Sequence, residues 1–468
     1  MTAAGAAGRR ALQARMAFSL AGHLDQHAER LAWDPGRLAG FQRERLRVLL
    51  GHAAERSPFH ARRLRGFDTS RFELADLPRL PTMTKGQMMA GFDEIVTDRR
   101  LTRRRVERHL AASTTEPALL LGRYVCLASG GSSGLRGVFV QATEEYADFI
   151  ASVVRQGRAR MMAVGGPPPQ EMVIGMIAAA SPVHSSGFGA AVAVGPPVRM
   201  IAAPATLPLP EIVRRLNAAQ PPALVGYPSK LAELADEQRA GRLRIAPRSV
   251  TAISEVLTPR DGMAIADAFG VPVINQFVST EGLVGQSEPG GLVLRFASDL
   301  CLAELVDADN QPVPEGVTSA KVLVTNLHNL TQPLVRYELT DHFVRPMGSP
   351  GHGYLLASVE GRADEPFRYG RLEVHPHVLR STLVATSAVR EYQVRQTERG
   401  IDVACVPDGA VASAALVARL EQGLRQAGLA EPRVCVRMVD AISRDPLTGK
   451  VRRFIPSRRT EMARSKAW

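Results

Sequence analysis

Several short polar segments contain residue types suited to phosphate and carboxylate chemistry. The first, Ala128–Gly134, has the sequence Ala-Ser-Gly-Gly-Ser-Ser-Gly and follows the apolar run Tyr124–Leu127. Glycines let a backbone approach closely and hydroxyls add donors, so such a loop can surround a phosphate with N–H groups. The GxxxxGK[ST] spacing of a Walker A loop is absent from it. Since a flexible Gly/Ser connector has the same composition, both interpretations stay open at this point.

Two further segments place polar side chains after apolar runs. Val273–Glu281 ends in Thr280 and Glu281. At the carboxyl end of a strand, where ligands bind in α/β proteins, Thr280 would offer a hydroxyl to an oxyanion and Glu281 a hard oxygen to Mg²⁺. A helix N-cap is the alternative for these residues. Asp341, after another short predicted strand, can accept two hydrogen bonds from a ribose diol, and a surface turn is its alternative.

The last two segments lie in the final quarter of the chain. Glu360–Asp364 is a polar turn, and Ser443–Lys450 is a Pro/Gly loop that presents one lysine. The chain has only five lysines among its 58 basic residues. Because lysine is a compact point charge suited to a reacting phosphate, Lys450 is a candidate for chemistry. A surface lysine is the alternative interpretation.

The elements that must position these segments alternate between helix and strand patterns. Residues 172–198 contain no Asp, Glu, Lys or Arg, and we predict two buried strands there, MVIGMIAA and AAVAVG, joined by a polar loop. The proline, histidine and serines of that loop argue against a membrane span. Short strand and turn signals over 289–325 predict a β-rich subdomain. The alternation predicts an α/β fold, with helices at Arg43–Glu55, Pro210–Ala219 and Pro228–Arg239.

Composition excludes several classes of protein. With 468 residues, 45% hydrophobic and 22% charged, the chain is neither disordered, collagenous nor a coiled coil. The net charge of +12 comes from scattered arginines without interleaved aromatics, so we expect no nucleic acid partner and no membrane partner. The positive electrostatic field of these arginines would also attract anionic substrates such as ATP or coenzyme A. Four cysteines without a CxxC pair predict neither zinc nor disulfides and favour the cytoplasm. The N-terminus lacks a signal-peptide pattern and predicts a frayed helical lead-in.

Taken in order, the five segments resemble the adenylate-forming superfamily of acyl-CoA synthetases, luciferases and peptide-synthetase adenylation domains. They are most similar to the phenylacetate–CoA ligase family, over roughly residues 40–455. That family's Ser-Ser-Gly-Thr-Thr-Gly loop matches Ala128–Gly134, its Tyr-Gly-x-Thr-Glu matches Phe277–Glu281, and its Arg-Tyr-x-x-x-Asp matches Arg336–Asp341. Its Gly-Arg-x-Asp hinge matches Gly361–Asp364, and its Thr-x-x-Gly-Lys segment matches Pro446–Lys450.

The resemblance implies a fold and a division into domains. It implies a large N-terminal AMP-binding domain of helix-flanked sheets with a β-rich subdomain, followed by a small mobile α+β lid domain. We place a lead-in at 1–40, the AMP-binding domain at 41–362 and the lid with its basic tail at 363–468. Asp364 would be the hinge between the two domains.

The resemblance also implies an activity and a role for each site residue. A carboxylate would attack the α-phosphorus of ATP, release pyrophosphate and form an acyl-adenylate, whose acyl group coenzyme A would then accept. Lys450, Thr280 and Glu281 would be catalytic, with Glu281 on Mg²⁺, and His184 and Val278 would line the acyl pocket. The residues that would bind the nucleotide are Ser129, Gly130, Gly131, Ser132, Ser133, Gly134, Glu255, Phe277, Asp341 and Arg362.

The sequence departs from the family pattern at several points. Leu135-Arg136 replaces a basic residue after the phosphate loop, and Val278 replaces a glycine beside the acyl pocket. Glu255 is kept where relatives have Gly-Ala-Glu-Pro, but the proline is lost. Arg380 stands where an acidic residue is usual, and we have no physical account of it. A structural loop histidine is the alternative for His184.

The acceptor and the acid stay open. An adenylate-forming ligase that transfers its acyl group to an amine, a hydroxyl or a carrier-protein thiol is one alternative. A catalytically degenerate nucleotide-binding homologue is the other, and retention of Lys450 and Glu281 argues against it. We expect a small carboxylic acid as substrate and keep a homodimer as a possible assembly.

Overall fold

The structure is a computed structural model that describes most of the chain in two compact units, one up to Gly361 and one from Arg362 onward. Within the described residues, no helix has the length and hydrophobicity needed to cross a membrane. The described residues are 3–113, 116–129, 137–164, 171–179, 181–192, 198–349, 353–362, 367–370, 372–374, 377–384, 386, 388–407, 409–444 and 451–457.

The larger unit is α/β, as the sequence predicts. Its helices are α1 (Ala3–Arg30), α2 (Pro35–Arg56), α3 (Pro58–Arg63), α4 (Lys85–Ala90), α5 (Phe92–Ile95), α6 (Arg103–Ala112), α7 (Thr143–Val164), α8 (Ser185–Val192), α9 (Leu209–Ala219), α10 (Pro228–Arg239) and α11 (Pro259–Phe269), with a 3₁₀ helix at Leu74–Arg79. Its strands are β1 (Tyr124–Ala128), β2 (Val138–Ala142), β3 (Met172–Ile177), β4 (Val198–Ala202), β5 (Ala223–Gly226), β6 (Ser249–Ile253), β7 (Val273–Val278), β8 (Val284–Ser287), β9 (Leu294–Phe296), β10 (Cys301–Val306), β11 (Lys321–Asn326), β12 (Tyr337–Leu339), β13 (Asp341–Val344) and β14 (Leu356–Arg362).

A nine-stranded mixed sheet with the order β13-β14-β9-β8-β7-β6-β5-β3-β4 is the centre of this unit. Strands β4, β3, β5, β6 and β7 run parallel, and β7, β8 and β9 continue it as antiparallel neighbours. The predicted β-rich region appears as the three-stranded sheet β10-β11-β12, and β1 and β2 form a separate hairpin. The parallel half puts the ends of β5, β6 and β7 at one edge of the sheet.

Helix signals in the sequence explain most helix boundaries. Helix α10 begins at Pro228 and ends at Arg239, as predicted. The Thr258 side chain accepts a hydrogen bond from the Asp261 N–H at the start of α11, and Gly270 ends that helix in the left-handed region at φ 68°. Buried leucines of α9 and α10 then pack on the sheet in one apolar core.

The second of the two predicted strands in the apolar segment 172–198 is wrong. MVIGMI is β3, but residues 190–192 of AAVAVG are the end of helix α8. A short apolar run does not distinguish a buried strand from a buried helix. Gly187 lets the first turn of α8 approach Ser181, because a Cβ at residue 187 would lie 2.1 Å from the Ser181 carbonyl oxygen.

The lead-in expected at 1–40 is helical but is not frayed where its side chains are described. Gln13 of α1 donates to the Ala191 carbonyl at 2.9 Å, and Arg15 donates to Thr143 Oγ1 at 2.7 Å. The buried side chains of Leu12 and Met16 join the core beside α7 and α8. Helix α1 is therefore part of the larger unit.

The smaller unit is an α+β body with its own core. Its elements are β15 (Phe367–Tyr369), β16 (Leu372–Val374), α12 (His377–Val384), β17 (Val389–Gln396), β18 (Gly400–Pro407), α13 (Ser413–Gln426), β19 (Arg433–Met438) and β20 (Phe454–Ile455). The four-stranded sheet has the order β19-β18-β17-β20. Leu416, Leu420 and Leu424 of α13 are buried against it. That a large unit precedes a small α+β unit agrees with the predicted fold class.

Candidate active site

Neighbouring parallel strands bring two of the predicted segments to one edge of the sheet. In the pairing of β6 with β7, Ile253 lies opposite Gln276. Glu255 follows the first strand and Phe277–Glu281 end the second, so both segments emerge at the same edge. Ligand sites of α/β sheets lie at such edges, beyond the carboxyl ends of the strands.

Thr280 and Glu281 occupy the tip of the hairpin between β7 and β8. Val278 pairs with Val284, and the Ser279 N–H donates to the Leu283 carbonyl at 2.9 Å. The Ser279 hydroxyl oxygen accepts from the Leu283 N–H at 3.2 Å. The helix N-cap that was the alternative for this segment is therefore wrong: the segment is a tight β-hairpin loop. Thr280 is half-buried and Glu281 is buried.

Gly282 sets the shape of this turn. Its φ is 105°, in a region that favours glycine. A Cβ at this position would lie 2.2 Å from Nδ2 of Asn326. That Nδ2 instead donates to the Glu281 carbonyl oxygen at 2.8 Å. The backbone of Glu281 is thus fixed by a buried side chain from β11.

A loop that the sequence analysis missed, Asn326–Gln332, connects this turn to the hairpin β1–β2. The Asn326 side-chain oxygen accepts from the N–H groups of His328 and Asn329, each at 3.0 Å. Asn329 Nδ2 donates to the Val140 carbonyl at 3.1 Å. Three buried amide side chains spaced by three residues, Asn326, Asn329 and Gln332, were a signal in the sequence that could have been noticed.

Glu145, at the start of α7, holds the same loop from the other side. One carboxylate oxygen accepts from the N–H groups of Leu330 and Thr331 at 2.9 and 3.0 Å, and the other accepts from Ala142 at 2.7 Å. Burial raises the pKa of Glu145, although these hydrogen bonds oppose the rise. The turn, the missed loop and the β1–β2 hairpin are therefore one hydrogen-bonded assembly.

The described part of the phosphate-loop candidate is its base. The Ser129 N–H donates to the Gly137 carbonyl, and the Ser129 hydroxyl oxygen accepts from the Gly137 N–H, both at 2.9 Å. Ser129 is buried. Two hydrogen bonds therefore join Ser129, directly after β1, to Gly137, directly before β2, at the base of the loop.

His184 lies beside the same strand end. Ala128 donates its N–H to the Val183 carbonyl at 2.8 Å, and its own carbonyl oxygen is 3.3 Å from Nδ1 of His184. Residue 184 immediately precedes α8, and the ring is half-buried. The structure thus brings together Ser129 and His184.

Phe277 and Asp341 are connected through an aromatic cluster. The Phe277 ring centroid lies 5.3 Å from that of Phe343 and 6.0 Å from that of Phe296. Asp341 and Phe343 are two residues apart in β13, so they share a face. Asp341 is buried, and the surface turn that was its alternative is wrong.

Glu255 and Val278 have structural contacts of their own. Glu255 Oε2 accepts from the Ser229 N–H at 3.3 Å, at the start of α10, where a carboxylate is favoured by the helix dipole. The preceding Ser254 has a φ of 65°, in the left-handed region.

Val278 is partly buried and packs against the core that contains Leu12, Tyr146 and Phe188.

Arg336, from the Arg-Tyr-x-x-x-Asp motif, is a structural residue. Nε and an Nη each lie 3.0 Å from a Glu304 carboxylate oxygen, and the other Nη donates to the carbonyls of Pro78 and Leu80. Its guanidinium is almost fully buried. This residue joins the N-terminal region to β10.

The Glu281 carboxylate acts electrostatically on the buried thiol of Cys301. Burial raises the pKa of the Cys301 thiol, and the Glu281 charge raises it further. Among the described residues no three His, Cys, Asp or Glu side chains are grouped to hold a metal. Mg²⁺ in nucleotide sites is usually bound by one or two carboxylates plus phosphates, so a single Glu281 fits that role.

Several predicted site residues lie outside the described part of the chain. They are Gly130, Gly131, Ser132, Ser133, Gly134, Asp364 and Lys450, together with the side chains of Arg362 and Arg380. Leu135 and Arg136 also lie outside it. The assignments of these residues stay predictions.

The similarity of this chain to known proteins lies in its structure. No protein-family model and no curated protein matches the chain. A 2-hydroxyisobutyryl-CoA ligase in the postadenylation state, in complex with R3-HIB-AMP, matches with a TM-score of 0.61 and 18% identity, over 90% of each chain. The chain therefore shares the fold of this 2-hydroxyisobutyryl-CoA ligase.

Two other solved structures share this fold. An open conformation of 2-hydroxyisobutyryl-CoA ligase in complex with 2-HIB-AMP and CoA has a TM-score of 0.53 and 18% identity, over 88% of this chain and 90% of the other. The ATP-bound RpMatB–BxBclM chimera has a TM-score of 0.50 and 15% identity, over 69% of this chain and 65% of the other. The closer resemblance to the phenylacetate–CoA ligase family stays a prediction from the motifs.

Proposed function

We propose that this chain is an ATP-dependent carboxylate ligase. A small carboxylic acid attacks the α-phosphorus of ATP through one carboxylate oxygen, the bond from that phosphorus to the β-phosphate oxygen breaks, and pyrophosphate leaves. The acyl-adenylate then reacts with the thiol of coenzyme A, forming a thioester and releasing AMP. The finer assignment is an acid–thiol ligase similar to the phenylacetate–CoA ligase family.

The observation that carries this proposal is the hydrogen-bonded assembly around Asn326–Gln332. It connects the Thr280–Glu281 turn to the hairpin whose Gly/Ser loop begins at Ser129. The base of a loop with phosphate-binding composition, at Ser129 and Gly137, is thus linked through hydrogen bonds to a turn with a hydroxyl and a carboxylate. Phosphoryl-type transfer depends chiefly on such positioning and on charge stabilisation.

Each predicted residue has a role in the proposed first step. The backbone of Ser129–Gly134 binds the β- and γ-phosphates, and Thr280 contacts the α-phosphate. Glu281 binds Mg²⁺, which neutralises phosphate charge when bound. Asp341 and Arg362 bind the ribose, with Glu255 and Phe277 beside the adenine. Lys450 contacts the carboxylate and the α-phosphate as charge develops between them.

The second step is proposed on the resemblance. The smaller unit acts as a lid that turns about Asp364, which withdraws Lys450 and lets coenzyme A reach the adenylate. We also propose that the enzyme is cytoplasmic, can form a homodimer and uses Mg²⁺ as its cofactor.

Pyrophosphate release with a panel of carboxylic acids tests the proposal. Wild-type protein should release pyrophosphate only with ATP, Mg²⁺ and an accepted acid, and should form AMP plus a thioester when coenzyme A is added. Glu281→Gln should raise the Mg²⁺ concentration needed for half-maximal rate, because an amide is a poorer ligand for a hard dication. Glu171→Gln is the matched control, since Glu171 is exposed at the amino end of β3 and pairs with Arg199.

Other outcomes would redirect the assignment. Pyrophosphate release without thioester formation indicates an amine, a hydroxyl or a carrier protein as the acceptor. Nucleotide binding without pyrophosphate release for any acid indicates a degenerate homologue. Equal Mg²⁺ requirements for Glu281→Gln and the wild type would exclude Glu281 from the metal site.

A further inference from the structure

One tyrosine hydroxyl lies buried in the apolar core beside the predicted acyl pocket. Tyr146 of α7 has no exposed surface, and its ring packs at 5.3 Å from the Phe188 ring and 5.7 Å from the Phe149 ring. Phe188 is four residues after His184, and Val278 packs on the same core. Tyr146 thus lies against both elements that the resemblance assigns to the acyl group.

The Tyr146 hydroxyl forms no hydrogen bond with any residue that the structure describes. Burial raises the pKa of this phenol well above its ordinary value, so the group stays a neutral O–H that can donate and accept. Buried hydroxyls in proteins are normally paired, and leaving one unpaired is unfavourable. Tyr124 shows the ordinary arrangement, since its hydroxyl donates to Asp98 at 2.6 Å.

Helix α8 leaves space directly opposite this hydroxyl. A Cβ at Gly189 would lie 3.6 Å from the Tyr146 oxygen and 3.8 Å from Cδ1 of Ile150, which are ordinary contact distances. The position therefore has room for at least a methyl group beside the oxygen. Gly189 is half-buried, so that side of the hydroxyl is near the protein surface.

We propose that the Tyr146 hydroxyl determines substrate specificity, and that the activated acid carries a hydroxyl, amino or carbonyl substituent that hydrogen-bonds to it. This inference deepens the proposed function and rests on it. A phenolic O–H pairs with any of these three groups, because it offers one donor and two acceptor positions. An unsubstituted acid of the same size would leave the hydroxyl unpaired in the complex and would be rejected.

Tyr146→Phe with matched pairs of acids tests this inference. Each pair has the same carbon skeleton, one acid with the polar substituent and one without it, and pyrophosphate release gives kcat/KM for each. In the wild type the substituted member of the preferred pair should be favoured roughly ten- to a hundred-fold. In Tyr146→Phe this preference should disappear, while the rate with the unsubstituted acid stays equal or rises.

Thermal melting separates this role from a structural one. Tyr146→Phe should melt at the same temperature as the wild type or higher, because it removes only a buried hydroxyl that has no partner among the described residues. Tyr124→Phe is the matched control. That variant loses the hydrogen bond to Asp98, so it should melt at a lower temperature and keep the substrate preference.

Gly189→Ala provides a second, independent variant. The added methyl fills the space beside the Tyr146 oxygen without a close contact, and alanine is favoured over glycine inside a helix. The variant should therefore fold and should lose the preference for the substituted acid. Retention of the wild-type preference in both Tyr146→Phe and Gly189→Ala overturns the inference.

The outcomes distinguish failure of this inference from failure of the proposed function. A wild type that releases pyrophosphate with several acids but has no preference for substituted members overturns the role of Tyr146 alone. A lowered melting temperature in Tyr146→Phe with unchanged preference overturns it too, because the hydroxyl is then structural. A wild type that neither activates nor binds any acid overturns both proposals.

Discussion

Replacing Gly282 by alanine should show how strongly the Thr280–Glu281 turn depends on one backbone position. The residue has a φ of 105°, where a side chain is strained by about 1–2 kcal/mol. The new Cβ would also lie 2.2 Å from Asn326 Nδ2, so the amide must move and release the Glu281 carbonyl. A buried hydrogen bond lost in this way costs a further ~1–3 kcal/mol. The free energy of unfolding should therefore fall by about 2–5 kcal/mol.

The control isolates the steric part of this effect. Gly270 also has a positive φ, 68°, but no atom of the described residues lies within 4 Å of the place that a Cβ would take there. Gly270→Ala should therefore lose only the backbone contribution of about 1–2 kcal/mol. Urea unfolding of the two variants compares the losses directly, and their difference measures the contact with Asn326.

Activity gives the second readout for Gly282→Ala. A displacement of about 1 Å at a reacting group can lower a rate roughly a hundred-fold. Pyrophosphate release should therefore fall by about that factor in Gly282→Ala under conditions where the protein is still folded, and should be unchanged in Gly270→Ala. Equal destabilisation and equal activity of the two variants would refute the argument that Asn326 and Gly282 shape this turn.

Three other predictions concern separate groups. Lys450→Ala should slow adenylate formation roughly a hundred-fold or more while thioester formation from supplied acyl-adenylate persists; equal loss of both half-reactions would contradict its role. Val278→Gly should shift preference toward bulkier acids and lower stability by about 1–3 kcal/mol, because the side chain packs in a core; a substrate panel with thermal melting checks both. Burial lowers the pKa of His60 to about 3 and of His328 to about 4, so both stay neutral when folded near pH 5 and bind protons on unfolding. The stability that these two neutral histidines contribute together is present above pH 6.5 and is lost as the pH falls toward 4. Near pH 5 the free energy of unfolding should fall by about 2–3 kcal/mol for each pH unit. Equal stability in urea unfolding at pH 7 and pH 5 would contradict this prediction.

The sequence by itself determined the elements whose signals are local. Helix α10 has the predicted bounds because Pro228 starts it. The α/β class followed from the alternation of such elements, and the adenylate-forming resemblance followed from five motifs in the right order. The acid and the acceptor were not determined, because both depend on the shape of a pocket rather than on motif residues.

Tertiary structure decided features that depend on distant partners. Residues 190–192 end helix α8, which approaches Ser181 closely at Gly187, a contact that apolar periodicity does not encode. The burial of Asp341 depends on β13 joining the large sheet.

The connection between the Glu281 turn and the β1–β2 hairpin was also invisible in the sequence. It runs through Asn326 and Asn329, which lie 45 residues beyond Glu281 and 189 residues beyond Val140. Buried side-chain hydrogen bonds of this kind join segments that only the folded chain brings together. In the sequence alone, these asparagines therefore look like residues of an ordinary polar loop.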